Sequence, residues 1–178
     1  MLDPFPLPRP EGLSNLVKPF ADYVSLHTLP LHIHEVAFAF ALYHFINRDL
    51  APVISRHFFG SLYDNFNTRT KLNWNVHIVS FVQSSLINTL ALWVLWKDDE
   101  RANMGWEQKV WGYTGASGMI QGFAMGYFLW DLMITIQYLP IFGLGMLAHA
   151  VSALFVFSLG FVSLPNLSPA PFSESEIK

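Results

Sequence analysis

The chain has 178 residues, of which 52% are hydrophobic and 13% are charged, and its formal net charge is −3. A soluble domain usually carries about 25% charged residues, so the low charged fraction indicates a membrane protein. The chain has no basic cluster and no cysteine. We therefore expect no nucleic-acid partner, no disulfide and no thiolate metal site.

The first part of the chain combines a polar segment with one candidate membrane helix. Residues 1–28 are interpreted as a polar N-terminal segment. Residues 29–46 are apolar but contain His32, His34, Glu35 and His44, and the histidines are interpreted as interfacial residues without a role. Residues 51–66 are aromatic and contain two charged residues, which favours an interfacial or re-entrant helix over a span.

Three later segments are long and apolar enough to cross a bilayer, which takes about 20 residues. They are residues 76–96, 111–138 and 139–164. Pro140 is expected at the start of the last helix, where proline is tolerated. Because backbone groups in lipid must pair within their own segment, the sequence predicts an all-α, multi-pass transmembrane bundle of about 4–5 membrane helices. The predicted transmembrane domain covers residues 29–161, and residues 162–178 are predicted to be a disordered tail.

The third of these segments carries an acid on a polar face. At about 100° per residue, Ser117, Gln121, Tyr127 and Thr135 share the face of Asp131. A carboxylate at mid-membrane costs about 2.5–3.5 kcal/mol, so function is the default interpretation of Asp131. The opposite face carries Gly118, Gly122 and Gly126, whose spacing of four predicts close packing against another helix.

Further polar residues within the spans are candidates for lining a polar intramembrane cavity. His77 and Asn88 lie on one stripe of the second segment, and His149 is the ionisable group of the last. The alternative is that such side chains only hydrogen-bond neighbouring helices. The candidate lining residues are Glu35, His77, Asn88, Gln121, Tyr127, Asp131 and His149, and the family resemblance described below implies that they are lipid-binding residues.

Metal and cofactor chemistry is not expected. Membrane di-iron sites need repeated histidine clusters, whereas here only His32 and His34 stand close together in the sequence. No nucleophile elbow and no glycine-rich phosphate loop is present. We expect no metal and no cofactor, and the resemblance described next implies membrane lipids as partners.

Three phrases in order resemble the TLC domain family, which includes TRAM proteins, ceramide synthases and the CLN8 protein. They are "KLNWNVHIVSFVQSSLI" (71–87), "GYFLWDL" (126–132) and "GLGMLAHAVSALFVFSLGF" (143–161). The sequence is most similar to small fungal members. The resemblance implies a multi-pass protein of the endoplasmic reticulum that is concerned with lipid homeostasis.

The resemblance also raises an enzymatic alternative. Ceramide synthases carry two adjacent histidines on the helix that corresponds to the last segment, and they transfer an acyl group from acyl-CoA. Here the pair is His149 followed by Ala150, so the double histidine is incomplete. An acyltransferase-like enzyme would use His149 as general base and Asp131 to orient it. We expect a lipid-binding or lipid-transporting protein rather than an enzyme.

The resemblance implies further spans after residue 161, which the sequence lacks. Val162-Ser163 is what a translated splice donor would encode. The hypothesis that follows is that the tail from Val162 is intron read-through and that the chain is truncated. The lipid class, membrane orientation and oligomeric state stay open at this point.

Overall fold

The computed structural model describes residues 2–162, apart from the side chains of residues 110 and 111. Helices account for the regular structure of this part of the chain, and the predicted tail lies outside it except for Val162. The helices are α1 Glu11–Tyr23, α2 Leu29–Phe45, α3 Ala51–Phe59, α4 Ser61–Asp64, α5 Thr68–Lys97, α6 Asp99–Ala102, α7 Trp106–Trp111, α8 Gly115–Gln137 and α9 Leu139–Ser158.

Four helical stretches of the described residues are long and apolar enough to cross a membrane. They are Leu29–Phe59, Thr68–Lys97, Gly115–Gln137 and Leu139–Phe161. The prediction of an all-α, multi-pass membrane protein is therefore confirmed.

The interpretation of residues 51–66 as a separate interfacial piece needs correction. A π-helical turn at Ile46–Leu50 joins α2 directly to α3, so this stretch continues the first candidate span to Phe59. Pro52 lies in the first turn of α3 and has no N–H to donate to the preceding turn, which accounts for the wider helical turn before it. The helix breaks at Gly60, whose φ is 48°.

The last span is also less regular than predicted. Pro140 lies in the first turn of α9, as expected. Gly143, however, has φ 79° and ψ 170°, which interrupts the helix one turn later. Glycine is the residue that adopts positive φ without steric cost, so the chain can change direction here.

Helix α8 is the centre of the bundle. It packs against α2, α5 and α9, while α1 packs on the outside of α2. Gly118 approaches His32, Gly122 approaches Glu35, and Gly126 approaches Ala39. The residue numbers of the contacting pairs increase together along the two helices. Helices α2 and α8 therefore run parallel and begin at the same end of the bundle.

Hydrogen bonds fasten the elements at this end. Thr28 donates its hydroxyl to the carbonyl of Phe161 at 3.0 Å, which joins the start of α2 to the end of the last span. Ser14 of α1 donates to the carbonyl of Pro30 at 2.7 Å. The N-terminal residues are thus held against the first span.

Thr114 caps the N-terminus of α8, and removing its hydroxyl should destabilise the bundle. Its Oγ1 accepts a hydrogen bond from the Ser117 N–H at 3.2 Å and donates one to Asp98 at 2.7 Å. We expect Thr114→Ala to lower the free energy of unfolding by about 1 kcal/mol, as the loss of an N-cap typically does. Thermal unfolding in detergent measures this, with Thr114→Ser as the matched control that keeps the hydroxyl.

The effect should depend on pH. Burial alone would raise the pKa of Asp98, but hydrogen bonds to the carboxylate, including those from Thr114 and the Arg101 N–H, hold it below its usual range. Stability from the ionised carboxylate is then fully present above the ordinary Asp pKa of about 3.9 and is lost as the pH falls through the lower folded value. A difference between wild type and Thr114→Ala that grows below pH 4 would contradict this.

Candidate functional site

The start of α2 holds a buried acid–base pair. His32 and Glu35 lie one helical turn apart and are 1% and 0% exposed. Nδ1 of His32 is 2.7 Å from Oε2 of Glu35, and its Nε2 is 2.5 Å from the hydroxyl of Tyr113. Asp3 of the N-terminal segment has a carboxylate oxygen 3.6 Å from the same Nδ1.

The glycine face of α8 makes room for this pair. A Cβ atom on Gly122 would lie 2.7 Å from Oε2 of Glu35, and one on Gly118 would meet the His32 ring. Distances below about 3 Å are too short for van der Waals contact. The predicted packing glycines therefore contact α2, and two of them lie directly beneath its buried polar side chains.

Two buried polar atoms in this cluster have no hydrogen-bond partner among the described residues. They are Nδ1 of His34 and Oε1 of Glu35. One donor atom each from Asp3, His34 and Glu35 lies within 4.8 Å of the others. His34 is only 9% exposed, and the ring of Phe5 covers it at 5.4 Å.

A second polar cluster lies in the middle of the bundle, between α2, α5 and α8. The hydroxyl of Tyr43 donates to Oε1 of Gln83, and the hydroxyls of Ser80 and Tyr127 are 2.9 Å apart. The two tyrosine rings meet edge to face, with centroids 5.5 Å apart. Of these residues, only Tyr127 belongs to the predicted lipid-binding set.

Asp131 and His149 lie at the seam of α8 and α9. Asp131 is 9% exposed, whereas His149 is exposed, and the two are close enough for electrostatic interaction. No hydrogen bond joins either side chain to another described residue. The pair therefore has unused hydrogen-bonding capacity at a partly open position.

The remaining predicted ligands point elsewhere. His77 and Asn88 are exposed and bond to backbone carbonyls of their own helix, those of Asn73 and Ser84. Gln121 donates to the carbonyl of Phe157 on α9. The seven predicted lipid-binding residues are thus distributed over several places rather than gathered in one cavity.

The surface of the bundle has two open cavities, and the second of them includes His77. One, of about 480 Å³, is lined by Leu129, Leu132, Met133, Ile136 and Gln137. The other, of about 490 Å³, is lined by Thr70, Asn73, Trp74, His77, Ile78 and Phe81. Both have mainly apolar walls, which suit hydrocarbon chains better than head groups.

The sequence identifies Glu35 as a candidate but not most of the polar residues around it. The sequence predicts no role for His32 and does not single out Gln83 or Asp3, yet each of the three contacts another polar group. The sequence does show that His32 and Glu35, three residues apart, share one face of a helix. The partners from other helices cannot be read from that spacing.

Comparison with known proteins gives a consistent result. Residues 73–168 match the model of the TLC domain. The chain is 40% identical over 156 residues to an uncharacterised TLC domain-containing protein of Schizosaccharomyces pombe, which covers 87% of this chain and 51% of that protein. It is 30% identical over 130 residues to topoisomerase I damage affected protein 4 of Saccharomyces cerevisiae, which covers 72% of this chain and 44% of that protein. The chain thus spans about half the length of these curated relatives, and no solved structure matches it.

Proposed function

Because the chain belongs to the TLC domain family, whose members are generally membrane proteins linked to lipid metabolism, we propose that it binds a membrane lipid and contributes to lipid homeostasis. The polar head group is held between Asp131 and His149 at the seam of α8 and α9. The protein would act in the endoplasmic reticulum, either as a carrier or by holding the lipid in place.

One observation carries this proposal. Asp131 is a largely buried carboxyl group on a membrane-spanning helix, and no described residue gives it a hydrogen bond. A carboxyl group in this setting is costly unless it is paired. A lipid with an ammonium or hydroxyl group supplies that partner, and His149 beside it can bind a phosphate or hydroxyl oxygen.

The chemistry of the seam agrees with an amphipathic ligand. Helix α9 contributes many apolar and aromatic side chains, and Phe128 of α8 stacks on Phe157 with ring centroids 4.3 Å apart. Hydrocarbon chains can lie along such a surface while the head group reaches the polar pair.

The test is photocrosslinking of a lipid to the full chain in membranes. A set of photoactivatable lipids that differ in head group is compared on wild type, Asp131→Asn, His149→Ala and Ser152→Ala. Ser152 is the matched control, because it is exposed on α9 and bonds only to the carbonyl of Ala148 in its own helix. Hydrogen bonds to charged groups are worth about 1.5–3 kcal/mol, so we expect labelling by the preferred lipid to fall about tenfold or more in the two site variants.

Two results would overturn the proposal. Equal labelling of the wild type and both site variants would show that Asp131 and His149 do not hold the lipid. If the protein turns over acyl-CoA and His149→Ala abolishes the turnover, the protein is an acyltransferase-like enzyme with His149 as the general base.

A further inference from the structure

The cluster at the start of α2 has the donor atoms of a metal site. Asp3, His34 and Glu35 each offer one ligand atom, and these atoms lie within 4.8 Å of one another. Ligands of a tetrahedral Zn²⁺ ion are about 3.4 Å apart, as metal–ligand distances of about 2.0–2.2 Å require. The three donors therefore need to approach by ~1 Å. Asp3 lies in the exposed N-terminal segment and can make most of that adjustment.

Two buried polar atoms of the cluster lack hydrogen bonds to the described residues. Oε1 of Glu35 and Nδ1 of His34 have no partner among the described residues, although both side chains are at least nine-tenths buried. Buried polar groups in native proteins are nearly always satisfied by a partner, water or an ion. A cation between the two side chains would satisfy the carboxylate directly.

The charge balance also favours a cation. The contacts of His32 fit the neutral imidazole, with Nδ1–H donating to Glu35 and Nε2 accepting from the Tyr113 hydroxyl. Arg9 is close enough to interact electrostatically with His32 and His34. Burial disfavours two ionised carboxyl groups side by side at Asp3 and Glu35 unless a cation lies between them, and a divalent ion would supply that charge.

A hydrogen bond from a neighbouring side chain fixes the Glu35 carboxylate, as is usual for carboxylates that bind metals. Oε2 accepts a hydrogen bond from His32, and His32 is in turn fixed by Tyr113. Side chains that hydrogen-bond to a metal ligand orient it and increase the affinity of the site for the metal. Gly122 leaves the space in which the carboxylate sits.

From this geometry we propose that Asp3, His34 and Glu35 bind a divalent transition-metal ion, with His32 as the residue that positions Glu35. One imidazole and two carboxylates suit Zn²⁺ and related ions. The ion ties the N-terminal segment to α2 above the glycine face of α8. The site is separate from Asp131 and His149, so it does not depend on the lipid proposal.

The test is metal binding by the full chain, purified in detergent through an affinity tag that contains no histidine. Chelator-treated protein is titrated with Zn²⁺, and bound metal is measured by mass spectrometry. Co²⁺ gives an independent visible absorption spectrum that reports the ligand geometry. We expect one equivalent to bind to wild type, with affinity at least tenfold lower in Asp3→Asn and Glu35→Gln.

Controls distinguish this site from adventitious binding. Asp22→Asn alters another Asp–His pair, in which Asp22 lies 3.8 Å from the exposed His27, and His44→Gln removes a histidine of the same helix. Both should leave the affinity unchanged. Asp3→Asn is informative even if Glu35→Gln fails to fold, because Asp3 is exposed. Absence of a bound equivalent in wild type, or a bound equivalent that Asp3→Asn does not weaken, overturns the proposal.

Discussion

Replacing Gly126 by alanine or leucine is expected to force α2 and α8 apart and strongly destabilise the protein. A Cβ atom on Gly126 would lie 2.6 Å from Cβ of Ala39, 2.6 Å from the carbonyl oxygen of Val36 and 3.0 Å from the backbone nitrogen of Phe40. Two of these three atoms belong to the backbone, so no change of rotamer relieves the contact. Overpacking typically costs about 1–3 kcal/mol, and we expect leucine to exceed the upper value.

Thermal unfolding in detergent gives the measurement, and Gly145→Leu is the matched control. Gly145 also lies in a membrane-spanning helix, but no atom comes within 4 Å of a Cβ built there. Ala39→Gly should rescue Gly126→Ala only in part, because it removes the side-chain contact and leaves the backbone contacts. Equal loss of stability in Gly126→Leu and Gly145→Leu would contradict close packing of α2 on α8.

The packing of the central helix could be predicted because its signal is local and periodic. The glycines recur every four residues, so they occupy one face whatever the rest of the chain does. The sequence could not identify the partner helix. That partner is α2, the candidate span that contains three histidines and Glu35.

The polar cluster could not be predicted because its members come from distant parts of the chain. Asp3 and Tyr113 meet His32 only after α2 and α8 have packed in parallel. Likewise, Gln83 is one of several polar residues on α5, and only the position of Tyr43 distinguishes it. Helical periodicity describes one helix at a time, whereas a site depends on the register between helices.

Local backbone irregularities explain the remaining differences. The π turn before Pro52 and the positive φ of Gly143 each interrupt regular α-helical geometry. Hydropathy shows an uninterrupted apolar run at Gly143, whereas Asn47, Arg48 and Asp49 favour a break before Pro52 that the helix does not make. The break at Gly143 precedes the part of α9 that carries His149.

The side chain of Trp130 is expected to be among the most important for stability, through its volume rather than its indole N–H. Trp130 is 0% exposed in the core formed by α2, α5 and α8, and Tyr127 lies beside it with ring centroids 5.8 Å apart. Truncating a buried tryptophan to alanine costs about 3–5 kcal/mol, because the cavity is only partly filled by relaxation. We expect Trp130→Ala to lower the free energy of unfolding by this amount.

Trp130→Phe separates ring volume from hydrogen bonding. Nε1 of Trp130 is buried and has no hydrogen-bond partner among the described residues. An unsatisfied buried donor costs about 1–3 kcal/mol, so its removal offsets much of the packing lost with the smaller ring. We expect the free energy of unfolding of Trp130→Phe to lie within about 1 kcal/mol of that of the wild type. The control Trp96→Ala should change little, since Trp96 is 81% exposed. If Trp130→Phe is as destabilising as Trp130→Ala, the N–H has a partner in the folded protein and the polar network of the core extends to Trp130.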